Sequence, residues 1–213
     1  MNTKKKVLLA CVLTGVFLVG VGLYKEDVMY QQTQQQLIQK KKLFKKAKNK
    51  FNTVKYANYD NKVIHDFDYK DYEAAINNDA VGKYAIGTIT IPSVGIEEPI
   101  LEGVSNQKLS VGVVTVKPNQ KPGQGNYALA GHNQLNNGKL LFGNLAYVKP
   151  GNQIIISTKE GTFKYQVTQI DKRLSAAHGE IIDDNQGEGI VTLYTCNNQT
   201  NNDRIFVRGR LLE

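Results

Sequence analysis

The sequence predicts a mainly β domain, a closed barrel or a sandwich, running from about residue 80 to the end of the chain. Three observations predict it. First, short runs alternate or concentrate apolar residues at strand length: "YAIGTITIP" (84–92), "IEEPILEG" (96–103), "NYALAGH" (126–132), "QIIISTKEGTFKYQVTQI" (153–170), "IVTLYTC" (190–196) and "RIFVRGRLL" (204–212). Second, turn chemistry separates them, as in "TKEGTF" (158–163) and "KPGN" (149–152). Third, the chain has no internal repeat and no strand–helix alternation, which excludes a solenoid and a doubly wound α/β fold. "SNQKLSVGV" (105–113) and "GKLLFGNLAYV" (138–148) are short, helix-compatible connections, and Gly131 and Gly138 bracket a polar loop.

The N-terminal part has a different texture. "MNTKKK" (1–6) is a basic tail, followed by the uncharged run "VLLACVLTGVFLVGVGLY" (7–24). Eighteen uncharged residues approach the ~20 that a membrane-crossing helix needs. A cleavable signal peptide would need a small-residue cleavage site after the run, and none follows. The expectation is therefore a single-pass membrane anchor over 7–24, with a cytoplasmic N-terminus and an extracellular domain. Residues 25–79 read as a Gln- and Lys-rich stalk. Leu37, Ile38, Leu43, Phe44, Ala47 and Phe51 recur there at roughly helical spacing. Such a stalk suits either a solvated spacer or a surface lying against anionic lipids or wall polymers.

The 213 residues carry 27 Lys and Arg against 19 Asp and Glu, a net charge of +8. Much of the excess precedes residue 63, outside the β domain, so the charge argues against a nucleic-acid partner. Cysteine is scarce: Cys11 sits in the apolar run, leaving Cys196 alone in the β domain. A lone cysteine is buried filler, a dimer link or a reactive thiol.

Three residues at strand–loop junctions bear on the last possibility. Cys196 ends "IVTLYTC", His132 ends "NYALAGH", and Arg204 begins "RIFVRGRLL". A thiolate attacks a carbonyl, an imidazole moves protons to and from amines, and a guanidinium holds an oxyanion. Each residue also has a plainer reading. His132 could cap a strand, and Arg204 could pair with Asp203 or Asp184. His65 in the stalk and His178 in "RLSAAHGEIIDDNQGEG" (173–189) are rival histidines.

"LAGHN" (129–133), "TLYTC" (192–196) and "RIFVRG" (204–209), in that order, resemble the sortases, the cysteine transpeptidases of Gram-positive surfaces. "IGTITIPSVGIEEPILEG" (86–103) resembles the first two strands of that family. The resemblance covers residues 80–213 and points to class A, the housekeeping group; "GRLLE" (209–213) carries no C-terminal membrane segment of the kind common in pilus-building class C members. It implies a closed barrel of about eight strands with short helices. It also implies Cys196 as nucleophile, His132 as general acid and base, and Arg204 as stabiliser of oxyanion and substrate. Leu109, Ala130, Ile181 and Tyr194 would line the groove for the signal's Leu and Pro, and Thr195 would hold substrate beside the thiol. The implied partners are secreted proteins with a Leu-Pro-x-Thr-Gly signal, cleaved after Thr through a thioester, and an amine of a peptidoglycan precursor. A pilin-polymerising or other-class sortase, or a non-catalytic surface barrel, is the alternative. An L,D-transpeptidase-like enzyme would need a Ser-x-Gly-Cys-x-Arg motif, which Thr195-Cys196 and the distant Arg204 do not form.

One departure concerns metal. Some class A members bind Ca²⁺ through acidic residues before the histidine strand. Here that stretch reads "VKPNQKPGQGN" (116–126), with two lysines and no carboxylate. Hard cations need several oxygen ligands, usually charged. The expectation is no cofactor, no metal site and no Ca²⁺ dependence, with Glu180, Asp183 and Asp184 as solvated loop charges.

Overall fold

The computed structural model describes residues 3–60, 64–134, 139–175, 189–197 and 203–212, with side chains from residue 14 onward. Eight strands form a closed barrel in the order β1-β2-β3-β4-β7-β8-β6-β5, with β5 returning to β1. β1 (Ala85–Ile91) and β2 (Ile96–Leu101) make an antiparallel hairpin. Its turn is a single 3₁₀ turn, Pro92–Val94, in which proline presets φ and Gly95 takes φ +66°. β2 then runs parallel to β3 (Val113–Thr115). A parallel pair cannot be joined by a hairpin, and the short helix α4 (Asn106–Val111), capped by the Ser105 side chain, makes the crossover.

β4 (Asn126–Ala130) is antiparallel to β3 and parallel to β7 (Ile190–Cys196). β5 (Gln153–Thr158) and β6 (Gly161–Ser175) form a hairpin, and β6 and β7 both flank β8 (Asp203–Leu211). The barrel is filled by Ile89, Ile91, Ile100, Tyr127, Leu129, Phe142, Ile154, Tyr165, Leu193 and Val207, each essentially inaccessible. The strands that frame the site are buried on both faces, which explains why "NYALA" and "IVTLYT" read as continuous apolar runs rather than alternating ones.

The chain divides into two compact units, Met1–Gln39 and Lys40–Glu213. The helix α1 (Thr3–Asn49) crosses that division. In the second unit a satellite core lies outside the barrel. Ala47 of α1, Tyr72 and Ala75 of α2 (Tyr69–Asn77), and Ala80 and Val81 of α3 (Ala80–Tyr84) pack with Leu101, Leu109, Val111 and Val114. Leu43, Ala47, Ile64, Phe67, Tyr69, Tyr72, Ala75 and Ile76, all within the expected stalk, therefore pack with residues of β2, β3 and the α4 crossover.

The expected single-pass anchor is corrected. Among the described residues, no helix is long and apolar enough to cross a membrane. Lys25, Glu26 and Asp27 end the uncharged run of the sequence at Tyr24. The membrane location, with a cytoplasmic N-terminus and an extracellular domain, loses its structural basis with the anchor.

Candidate active site

The parallel pairing of β4 with β7 determines what meets at one rim of the barrel. Ala130 pairs with Tyr194, and the Gly131 amide donates to the Tyr194 carbonyl at 3.3 Å. His132 and Cys196 each follow two residues after a member of that last pair. Parallel strands in register end together, so the two side chains emerge at the same rim. On the far side of β7 the antiparallel register pairs Cys196 with Arg204 at the start of β8. Residues distant in sequence are thus carried by three neighbouring strands. The parallel pairing is the step that sequence patterns leave out.

Short polar contacts hold this rim. Thr195 Oγ1 donates to the Gly131 carbonyl at 2.6 Å, tying β7 to the turn just before His132. Asn133 Nδ2 donates to the Cys196 carbonyl at 2.9 Å, and the Phe142 amide donates to the His132 carbonyl at 3.0 Å. Gly131 is required by a close approach: a Cβ there would meet the Phe142 ring at 2.8 Å and Val113 at 3.0 Å. Arg204 Nη1 donates to the Asp203 backbone carbonyl at 3.1 Å, so the side chain contacts Asp203 through its main chain.

His132 is only 8% exposed. The Phe67 ring packs against the imidazole in a T-shaped arrangement, with centroids 6.1 Å apart and planes at 86°. Burial pushes the imidazole down to about 4; the negative charge of Asp66 pulls it up, His65 pushes it down and Asp71 pulls it up. At neutral pH the imidazole is therefore unprotonated, a base rather than an acid. Tyr194 lies between the other two groups electrically. Burial pushes its phenol up to about 12, Arg204 pulls it down and Cys196 pushes it up. The Cys196 thiol is free of any disulfide and partly accessible.

Of the expected groove residues, Leu109 is 5% exposed within the satellite core, and Ala130 is half-buried against the same cluster. Tyr194 is half-buried beside the thiol, and Thr195 is 2% exposed with its hydroxyl on Gly131. Ile181 and the rival His178 lie outside the described residues, as do Glu180, Asp183 and Asp184. His65 is exposed, 3.2 Å from Asp71. In the stretch before β4, the Gln120 amide exchanges two hydrogen bonds with Ala128, and Gly123 donates to the Tyr165 hydroxyl. Among the described residues no three His, Cys, Asp or Glu cluster in a way that could hold a metal. Sequence reasoning missed Phe67 and Asn133. Asn133 was visible in "LAGHN", directly after the histidine; nothing local marks Phe67, whose contact spans 65 residues of chain.

The fold and this rim define a closed β-barrel that assembles a thiol, an imidazole and a guanidinium at the ends of adjacent strands. The Sortase domain family matches residues 89–212, more than half of the chain, and the protein belongs to that family. It is 39% identical to Sortase A of Streptococcus agalactiae over 130 residues, 59% of this chain and 52% of that protein. It is 36% identical to Sortase A of Bacillus anthracis over 140 residues, 66% of this chain and 65% of that protein. The chain thus spans between half and two thirds of the length of these relatives. Class A fits these relatives. Among solved structures, Listeria monocytogenes sortase A superposes with a TM-score of 0.57 at 31% identity, covering 62% of this chain and 89% of that one. A Clostridium perfringens sortase D5 transpeptidase gives 0.58 at 26% identity, covering 82% and 98%.

Proposed function

We propose that the protein is a class A cysteine transpeptidase that cleaves a Leu-Pro-x-Thr-Gly-type signal between Thr and Gly and joins the acyl part to an amine of a peptidoglycan precursor. The observation that carries this reading is the shared rim of β4, β7 and β8, with His132, Cys196 and Arg204 at its strand ends, in a chain of the sortase family. Secreted proteins bearing the signal are the partners this implies.

The chemistry follows from the state of each group. His132, neutral at pH 7, takes the proton from the Cys196 thiol as the substrate arrives. The thiolate attacks the Thr carbonyl carbon and forms a C–S bond, while Arg204 faces the oxygen on which negative charge develops. The C–N bond to Gly then breaks, and the proton on His132 passes to the leaving amine. An incoming amine attacks the thioester and gives a proton to His132; the C–S bond breaks, and the leaving sulfur takes that proton from His132 to regenerate the thiol. Leu109, Ala130, Ile181 and Tyr194 form the binding groove in this proposal. Thr195 supports substrate placement beside the thiol by fixing β7 to Gly131.

No Ca²⁺ is needed in this reading. The stretch 116–126 has no carboxylate, and Gln120 already cross-links it to β4. The test is incubation of the full chain with a Leu-Pro-x-Thr-Gly peptide and an amine, read by mass spectrometry. The expected product is the peptide cut after Thr and joined to the amine, with equal rates in chelator and in added Ca²⁺. Cutting at another bond, or product formation by Cys196→Ala, would contradict the proposal.

A further inference from the structure

Glu98 is a carboxylate where the barrel has apolar neighbours. It lies in β2 between Ile96 and Ile100 and is 2% exposed. A buried carboxylate stays charged only when paired and hydrogen-bonded. Glu98 has both kinds of partner. Its Oε1 lies 2.9 Å from Lys40 Nζ and accepts from the Leu141 amide at 2.8 Å. Lys40 Nζ also donates to the Lys139 carbonyl at 2.5 Å. The ion pair therefore grips the segment 139–141 at two backbone groups.

That segment leads directly to the candidate catalytic pair. Leu141 takes φ +52°, a left-handed conformation that a leucine keeps only when its surroundings hold it there. Leu141 forms an isolated β-bridge with Asn133, and the Asn133 side chain donates to the Cys196 carbonyl. The next residue, Phe142, donates its amide to the His132 carbonyl. One strained backbone position thus touches the residue beside the histidine and, through it, the end of the cysteine strand.

We infer that Lys40 and Glu98 are positioning residues, a buried ion pair that holds Leu141 in its left-handed conformation and through it aligns His132 with Cys196. The inference rests on the reading of those two residues as the reacting pair. It assigns the last turns of α1 a place in the catalytic unit, since Lys40 comes from that helix. Neither residue touches the reacting atoms; both act through the 139–142 backbone.

The experiment uses full-length Lys40→Met, Lys40→Arg, Glu98→Gln and the Lys40→Met/Glu98→Gln double variant. It measures kcat and KM with the signal peptide and amine, thermal unfolding, and the rate of Cys196 alkylation by iodoacetamide. Misalignment of a reacting pair lowers kcat more than it weakens ground-state binding. Lys40→Met and Glu98→Gln are each expected to lower kcat about fivefold or more with KM within about twofold. Lys40→Arg should keep at least about half of kcat, because it keeps the charge and the donors. The double variant should lose no more than the worse single variant, because the pair acts as one unit. Alkylation should slow in Lys40→Met and recover in Lys40→Arg. The inference is overturned if folded Lys40→Met keeps kcat and alkylation within about twofold of wild type, if only KM or the unfolding temperature changes, or if Lys40→Arg does no better than Lys40→Met. Thermal unfolding identifies any variant that fails to fold, and Lys40→Arg, which keeps the charge beside Glu98, keeps the comparison decisive in that case. If the wild-type chain joins no peptide to amine, the transpeptidase reading fails, and the alkylation rates still decide the inference.

Discussion

The barrel interior and the layer outside it do different work. The interior is closed by strand pairing and filled by side chains with essentially no exposure, and its register alone sends His132, Cys196 and Arg204 to one rim. The outer layer, from Lys40 through α3 with α4, forms its own apolar cluster and adds the Phe67 ring over His132. Strand pairing sets where the three side chains proposed to react are placed. The covering layer bears on the proton affinity of His132, because a desolvated imidazole resists its proton. Position and proton affinity are therefore separable by mutation.

The largest expected effect falls on the interior. Phe142 is fully buried under Gly131, and its own amide holds the His132 carbonyl. Phe142→Ala should lower stability by about 3–5 kcal/mol in urea unfolding, through lost transfer energy and an unfilled cavity. Turnover should fall with it, since the cavity opens against the His132 turn.

The second effect belongs to the covering layer and depends on pH. The unfolded chain protonates His132 near its ordinary value of 6.5, the folded chain only near 4. Between those values the unfolded state binds more protons, so stability falls as pH falls through that window. The loss should reach up to roughly 3 kcal/mol at its acid end. Urea unfolding of wild type against His132→Gln across pH 4–7 measures it as the difference between the two pH slopes. Phe67→Ala should weaken the same dependence, because water then reaches the imidazole. An NMR titration of the His132 ring would show its pKa moving up toward 6.5; no movement would mean that the phenylalanine does not set the environment.

A smaller effect tests the seam between β4 and β7. Thr195→Val removes the donor to the Gly131 carbonyl while keeping the shape of the side chain. A buried acceptor left without its donor costs about 1–3 kcal/mol. The smallest effect is expected at the edge of the outer layer, where Lys46 pairs with Asp79 at 2.5 Å and both side chains are about half exposed (49% and 50%). Screening and side-chain entropy leave such a pair little net value, so Lys46→Met should change stability by less than about 0.5 kcal/mol.

Much of the interior was legible in the sequence, and little of the outer layer was. Alternation in "YAIGTITIP" and the turn residues of "TKEGTF" mark β1 and the β5–β6 hairpin because strand period and turn geometry are local properties. The three residues at the rim could be picked out as strand ends, but their meeting depends on which strands are neighbours, and pairing across 64 residues leaves no local trace. Residues 69–79 fall within the expected Gln- and Lys-rich stalk, and 80–84 within the expected β domain; both become helices, α2 and α3, that pack on Leu101 and Val114. The apolar run near the N-terminus looked long enough for a membrane by its lack of charge, yet among the described residues no helix is long and apolar enough to cross one. Phe67 and Glu98 illustrate the general limit: an apolar residue in a polar stretch and a charge in an apolar strand take meaning only from partners far along the chain.

The most direct test is to trap the covalent intermediate. The full chain is mixed with signal peptide in the absence of any added amine, quenched in acid, digested, and read by mass spectrometry. The expected result is an acyl adduct ending in the signal's Thr, carried on the fragment containing Cys196 and released by hydroxylamine. An adduct on another residue, or peptide cleavage in which Cys196 never becomes acylated, would contradict the assignment of the rim as the reacting centre.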